Sequence, residues 1–333
     1  MRLRRLALTA AATAAMAAAA ACVASSNAFR GLRSDVLLGL DPIVPTPIDN
    51  PPTSPKLALG ARLFFDPILS ADGTGTCASC HQPERAFGDS TRVSLGIRDQ
   101  PTSRNAPPLV NRAWGRSFFR DGRAPSLEAA VLQPVQNPAE LGVTLTELEA
   151  RLAASPEYRR LFRTTFGASP AGPTAEQAAA ALAVFIRSLQ VGGAPVDRFH
   201  AGDSTALTPL QQEGRALFFG RARCSSCHIG TNFTDEGFHN TGVAVRSGDP
   251  GRFGVTRRAD HTGAFRTPTL RETLRTAPYM HDGRLATLEE VIEFYDGGGV
   301  PNPNLDFQIR PLRLSSREKE ALLAFLRALS SEG

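Results

Sequence analysis

The 333-residue chain is predicted to be mainly α-helical and built from two copies of one unit joined by long loops. Three observations predict this. The pattern Cys-x-x-Cys-His occurs twice, as Cys77-Ala78-Ser79-Cys80-His81 and as Cys224-Ser225-Ser226-Cys227-His228. Each copy sits among matching flanking segments in the same order, the mark of an internal repeat. Apolar residues recur at helical spacing, and no alternating run is long enough for a substantial sheet.

The repeated pattern carries chemistry. Two thiols two residues apart add to the vinyl groups of a porphyrin, and the adjacent imidazole becomes the proximal ligand of its iron: the attachment of c-type haem. A lone Cys-x-x-Cys also serves thioredoxin-like redox sites and half of a zinc site. A redox pair needs no following His, however, and two complete copies are a coincidence under either alternative. The expected cofactors are therefore two covalently bound haem c groups, held by Cys77, Cys80 and His81 and by Cys224, Cys227 and His228. Of five cysteines only Cys22 lies outside the motifs, so no disulfide framework is expected and the haems must help to hold the fold.

Taken from the N-terminus, residues 1–21 read as an export signal: Arg2, Arg4 and Arg5, then an uncharged Ala-rich run. That run is too short and too weakly apolar for a membrane span. Ala19-Ala20-Ala21-Cys22 resembles a bacterial lipoprotein signal, which makes Cys22 a candidate lipid anchor. Either way a periplasmic location is expected, where c-type haem is attached in Gram-negative bacteria. Residues 22–55 are a tether or arm, Pro-rich from Asn27 onward. The formal net charge of +5 falls to about +2 without the three leader arginines, which argues against nucleic acid as a partner.

The body divides into an N-terminal cytochrome c-like domain at 56–192 and a C-terminal one at 193–333, with the junction between Gln190 and Pro209. Gly60-Ala61-Arg62-Leu63-Phe64-Phe65 precedes the first haem motif as Gly214-Arg215-Ala216-Leu217-Phe218-Phe219 precedes the second. Asp121-Gly122-Arg123 is echoed by Asp282-Gly283-Arg284, with Pro107 and Pro268 each fourteen residues before those aspartates. Thr174 is the expected N-cap of an amphipathic helix reaching Leu189. Ser315 to Glu318 opens the last helix as a capping-box variant, with Leu322, Leu323, Phe325, Leu326 and Leu329 as its core stripe.

An electron-transfer haem is closed by a sixth protein ligand, whereas a reactive haem is open. Met1 and Met16 leave with the leader, so Met280 is the one methionine of the mature chain and at most one haem is His/Met-ligated. The spare histidines are His200, His239, His261 and His281, most of them expected to be structural.

From about Ala58 to Gly299 the order of motifs resembles the bacterial di-haem cytochrome c peroxidases and the related MauG enzymes. Leu63-Phe64-Phe65-Asp66-Pro67, Arg104-Asn105-Ala106-Pro107, Asp121-Gly122-Arg123-Ala124, Asn137-Pro138-Ala139-Glu140 and Ala277-Pro278-Tyr279-Met280-His281-Asp282-Gly283 carry the likeness. The resemblance implies that the N-terminal haem reacts with hydrogen peroxide while the C-terminal haem exchanges electrons. The loop His that closes the resting peroxide haem in many of these peroxidases is here Ile97, implying an open haem as in MauG. Tyr295, fourteen residues after His281, stands where the peroxidases have an axial Met and MauG a Tyr; Met280 is the competing ligand. Tyrosinate is a hard anionic donor favouring ferric and higher states. Glu140 and Pro134 match residues lining the open face, Glu140 as acid–base catalyst, and Ala130 replaces a neighbouring Gln.

The family's Trp between the haems, directly before Asp-Gly-Arg, is here Arg120, which cannot be oxidised, so transfer would tunnel directly, use Phe119 or go elsewhere. Trp114 is expected to be packing. Asn105, Thr276 and Pro278 match the family's Ca²⁺ ligands, one side-chain amide and two backbone carbonyls. The electron source is expected to be a periplasmic donor protein or, as in MauG, side chains of a protein substrate. The alternative is a di-haem electron carrier without peroxide chemistry; a haem sensor is weaker, because no output domain is attached.

Overall fold

The structure is a computed structural model and describes residues 37–331. The signal-peptide and lipid-anchor expectations at 1–21 and Cys22 fall outside the described residues, as does the first part of the arm.

Helix α1 spans Ser54–Phe65, α2 Cys77–Cys80, α3 Leu127–Gln136, α4 Leu145–Ala154, α5 Pro156–Phe166 and α6 Ala175–Ser188. There follow α7 at Pro195–His200, α8 at Pro209–Phe219, α9 at Phe253–Thr256, α10 at Leu288–Asp296 and α11 at Ser316–Arg327. The described strands, β1 Phe238–His239 and β2 Phe265–Arg266, form one short antiparallel pair. Caps start the helices where the sequence places them: Thr174 accepts from Gln177 N, and Ser315 forms a reciprocal box with Glu318.

Two apolar cores result. The first gathers α1, α3, α4, α5 and α6 around Leu63, Phe64, Leu182 and Phe185; the second gathers α8, α10 and α11 around Phe218, Leu322 and Phe325. Chain up to Val191 packs on the first, and chain from Ala194 belongs to the second. Each core is centred on a close crossing of two helices. Gly60 of α1 lies so near α6 that a Cβ there would stand 2.0 Å from Ala181 O, and one on Gly214 of α8 would stand 1.8 Å from Ala321 O of α11. The rings beside the crossings match as well, with Phe64–Phe185 centroids 5.0 Å apart and Phe218–Phe325 5.1 Å.

The seam between the cores is ionic. Glu236 accepts from Arg112 Nη1 at 2.7 Å and Arg266 Nη1 at 2.9 Å, all three side chains being buried. Arg104 bridges Asp121 at 2.6 Å and Asp249 at 2.7 Å. The arm from residue 37 onward is draped over both parts. Gly193 N donates to Leu38 O at 2.8 Å, and Arg271, paired in the interior with Asp197, donates to Gly39 O at 2.6 Å. Trp114 donates through Nε1 to Ile43 O at 3.0 Å, so the single tryptophan fastens the arm.

The crossings yield a prediction. Gly to Ala inside a helix ordinarily gains about 1 kcal/mol of helix propensity. Here Gly60→Ala and Gly214→Ala should each instead destabilise by about 1–3 kcal/mol, because backbone must move to admit the methyl. Thermal unfolding of the haem-loaded protein reads the difference; an unchanged or raised midpoint contradicts the close approach.

Candidate functional site

Each Cys-x-x-Cys-His motif is a short helical turn whose imidazole is aimed by a carbonyl. His81 Nδ1 donates to Phe87 O at 2.8 Å, and His228 Nδ1 to Phe233 O at 3.0 Å. A carbonyl only accepts, so Nδ1 carries the proton in both rings and Nε2 keeps its lone pair for a metal. Burial pulls both imidazoles down, which favours that neutral form. Phe87 (φ 57°) and Phe233 (φ 48°) are left-handed, a costly conformation for a bulky residue, and this turns the carbonyls inward. Each strained residue is anchored by its own ring, Phe87 against Phe64 at 5.8 Å and Phe233 against Phe218 at 6.3 Å.

The thiols complete a donor set suited to haem c. Burial pushes Cys77 and Cys224 up to about 12, as thiols rather than thiolates. Two paired cysteines and one pre-aimed imidazole per motif fit two covalently held haems. Cys227, Asp235 and His239 also lie with one donor atom each within 4.8 Å of one another, the proximity a metal ion requires. Haem attachment commits Cys227 to a thioether. His239 meanwhile turns Nδ1 to Asp306 at 2.6 Å and Nε2 to Asp235 at 2.9 Å, so the cluster is an ion-paired imidazolium. Its pKa is pushed up to about 10, first by the Cys227 thiol and then by Asp306 and Asp235 against burial. A thioether removes the first contribution and leaves the carboxylates.

A cavity of about 250 Å³ opens over the second motif, lined by Cys224, Cys227, His228, Met280 and Tyr295. Both candidate sixth ligands therefore face the same space. Burial pushes the Tyr295 phenol up to about 12, with Cys227 and Cys224 adding to the rise and a Thr241 hydrogen bond opposing it. His281 also reaches the cavity, stacked on Phe265 at 4.2 Å, with Nε2 3.0 Å from Ser247 Oγ. Burial pulls His281 down to about 4, so it is neutral at physiological pH. His261 instead pairs with Thr256, and His200 receives a hydrogen bond from Arg215 at 3.2 Å. The core stripe of α11 needs correction: Leu322 and Leu326 line this cavity, because the helix packs one edge on α8 and turns another to the cofactor space.

At the first motif, burial pushes the Cys77 and Cys80 thiols up, and Glu140 lies close enough for its charge to add to both. Burial raises the Glu140 carboxyl above the ordinary range, opposed by Asn137, whose Nδ2 donates to Oε1 at 2.7 Å. Pro134 sits inside α3 and its carbonyl accepts from Leu141 N at 3.1 Å, tying α3 to the Glu140 turn. Ile97 is buried, and its N donates to Glu140 O at 2.9 Å. Ala130 is buried as well.

The two Asp-Gly-Arg segments fold alike. Phe118 bridges Ala124, and Tyr279 bridges Leu285, around turns with left-handed Phe119 and Met280. Arg120 thus takes the turn position of His281. The Ca²⁺ expectation does not fit this donor set. Arg120 Nη2 donates to Asn105 Oδ1 and Arg120 Nε to Asn105 O at 2.9 Å, so a guanidinium stands where the cation would bind.

The comparisons with known proteins agree with this geometry. The family model for di-haem cytochrome c peroxidase matches residues 54–205. The methylamine utilization protein MauG of Methylorubrum extorquens is 42% identical over 291 residues, covering 87% of this chain and 82% of that protein. The chain belongs to the di-haem cytochrome c peroxidase and MauG family. It is thus a peroxide-dependent oxidoreductase carrying covalent haem c. Cytochrome-c peroxidase IdrP1 of Denitromonas iodatirespirans is 36% identical, covering 98% of this chain and 92% of its own. Among solved structures, a MauG-like protein associated with microbial copper homeostasis superposes with a TM-score of 0.82 at 34% identity, covering 90% of this chain and 95% of its own.

The carbonyls of Phe87 and Phe233 and the His239 ion pairs are site features that the sequence reading did not single out. A left-handed phenylalanine has no sequence signature, although a phenylalanine six residues after His81 and another five after His228 are visible once sought. The donor sets predict that replacing Cys77 and Cys80 together by Ala halves haem c content, as does replacing Cys224 and Cys227. Absorbance of the denatured pyridine complex checks this; loss of both haems or neither contradicts two independent attachment sites.

Proposed function

We propose that residues 56–192 form a peroxide-reducing domain, that 193–333 form an electron-relay domain, and that the two arose by internal duplication. The observation that carries this reading is the asymmetry between two similarly built haem sites. The second offers Tyr295 and Met280 to its cavity, while the expected gate position of the first is a buried Ile97. When attached, the first haem would supply the iron that takes up peroxide. Glu140, desolvated and held by Asn137, would take a proton from one peroxide oxygen and return it to the departing one. Pro134, with no N–H of its own, would shape the same face without drawing a proton.

Tyr295 would exchange its phenolic proton for iron as sixth ligand of the second haem, favouring its oxidised states over reduction by an ordinary cytochrome. That supports a MauG-like use of oxidising equivalents on side chains of a protein substrate, with a small redox protein as the other electron source. Export to the periplasm follows from the leader and from the haem c chemistry. Among the described residues no helix is long and apolar enough to cross a membrane, and a lipid at Cys22 would supply the anchor.

Two experiments test the proposal. In stopped-flow mixing with hydrogen peroxide, Glu140→Gln should slow the ferric-haem reaction by about 10²-fold or more. A base must be ionised to act, so the wild-type rate should fall as pH drops through a pKa raised above the ordinary carboxylate range, and this limb should vanish in Glu140→Gln. An unchanged rate and profile contradict the role. Tyr295→Phe should change only the low-spin electron paramagnetic resonance signal, leaving the high-spin one; insensitivity of the low-spin signal would assign the ligand to Met280.

A further inference from the structure

Arg120 is placed where a cation is needed and supplies one. Its guanidinium reaches Asn105 twice, Nε on the backbone oxygen at 2.9 Å and Nη2 on the side-chain oxygen. The rest of Asn105 is also committed: its N donates across the seam to His281 O at 2.8 Å, and its Nδ2 donates to Thr91 O at 3.1 Å. Asn105, Arg120, Thr276 and Pro278 line one continuous cavity wall. A divalent ion on Asn105 Oδ1 would thus lie against a guanidinium on the same atom, and like charges at that range repel.

The guanidinium stays charged there. An arginine guanidinium keeps its charge at physiological pH, and its donors here are engaged by both oxygens of Asn105. Arg104 is spent on Asp121 and Asp249. The Arg120 backbone is held too, since its carbonyl accepts from Arg266 N at 2.8 Å. The turn and the acceptor are each tied across the seam, and the side chain is tied to the acceptor.

We propose that Arg120 is a covalently tethered replacement for a bound metal ion, holding both oxygens of Asn105, whose N is bonded to His281 of the Tyr279–Leu285 turn, so that this protein needs no Ca²⁺. The single charge is part of the chain, does not dissociate, and is not exchanged with the surroundings. The same residue fills the position where resemblance would place an oxidisable ring, so one substitution removes both a redox station and a metal requirement. This inference does not depend on which molecule supplies electrons.

The test uses the haem-loaded wild-type protein and the variants Arg120→Ala and Arg120→Gln, the latter serving where the former fails to fold. Elemental analysis, thermal unfolding and the ferric electron paramagnetic resonance spectrum are measured with a calcium chelator and then with Ca²⁺ alone. The wild type should hold substoichiometric calcium, and neither its unfolding midpoint nor its spectrum should respond to chelator or Ca²⁺. The variants should unfold at lower temperature and regain stability with Ca²⁺, which can now reach Asn105. Stoichiometric calcium in the wild type, a chelator-induced change in its spectrum, or variants indifferent to Ca²⁺ would each overturn the proposal.

Discussion

A hydrogen bond from an imidazole Nδ1 to the carbonyl of a left-handed phenylalanine is the contact on which both haem sites depend. It fixes the tautomer, aims Nε2 at the cofactor space and fastens that aim to the core through the phenylalanine ring. Phe87 and Phe233 meet Phe64 and Phe218, rings carried by the helices whose glycines allow the crossings with α6 and α11. The chain of constraint runs from glycine to helix crossing, to aromatic cluster, to carbonyl, to ligand. Strain at two residues is tolerable because the ring burial and the hydrogen bond determine their positions together.

What differs between the two sites lies on the opposite wall. At the second, Tyr295, Met280 and the buried neutral His281 share one cavity with the edge of α11. At the first, a desolvated carboxylate stands near the motif thiols, and the loop carrying Ile97 is bonded to its backbone. Similar proximal scaffolds with unlike distal groups are what a division into a reactive site and a relay site requires. The ionic seam of Arg104, Arg112, Glu236 and Arg266 holds the two in one geometry. A buried Glu236 flanked by two arginines is costly to break, since removing it strands both guanidiniums.

Much of this was legible in the residues. The paired Cys-x-x-Cys-His motifs locate both sites because covalent attachment demands contiguous residues, and Thr174 and Ser315 mark helix starts because caps act locally. The matched Asp-Gly-Arg segments, read as a repeat, do fold as matched turns. The orienting carbonyls were not legible, because they depend on backbone angles that tertiary packing imposes. The α11 stripe was misread in part because periodicity shows that a face is apolar without showing whether protein or cofactor covers it. The Ca²⁺ expectation at Asn105 came from the resemblance alone, which matches residues one at a time, whereas only the fold brings the Arg120 guanidinium onto its oxygen.

The central claim is that two similarly scaffolded haems differ in coordination, the first open and the second closed. Low-temperature electron paramagnetic resonance of the ferric protein as isolated, before and after one equivalent of hydrogen peroxide, tests this most directly. The account predicts one high-spin and one low-spin haem, with both ferric signals lost promptly on adding peroxide and no prior reduction needed. Two low-spin haems indifferent to peroxide, even after one-electron reduction, would contradict it and leave an electron carrier.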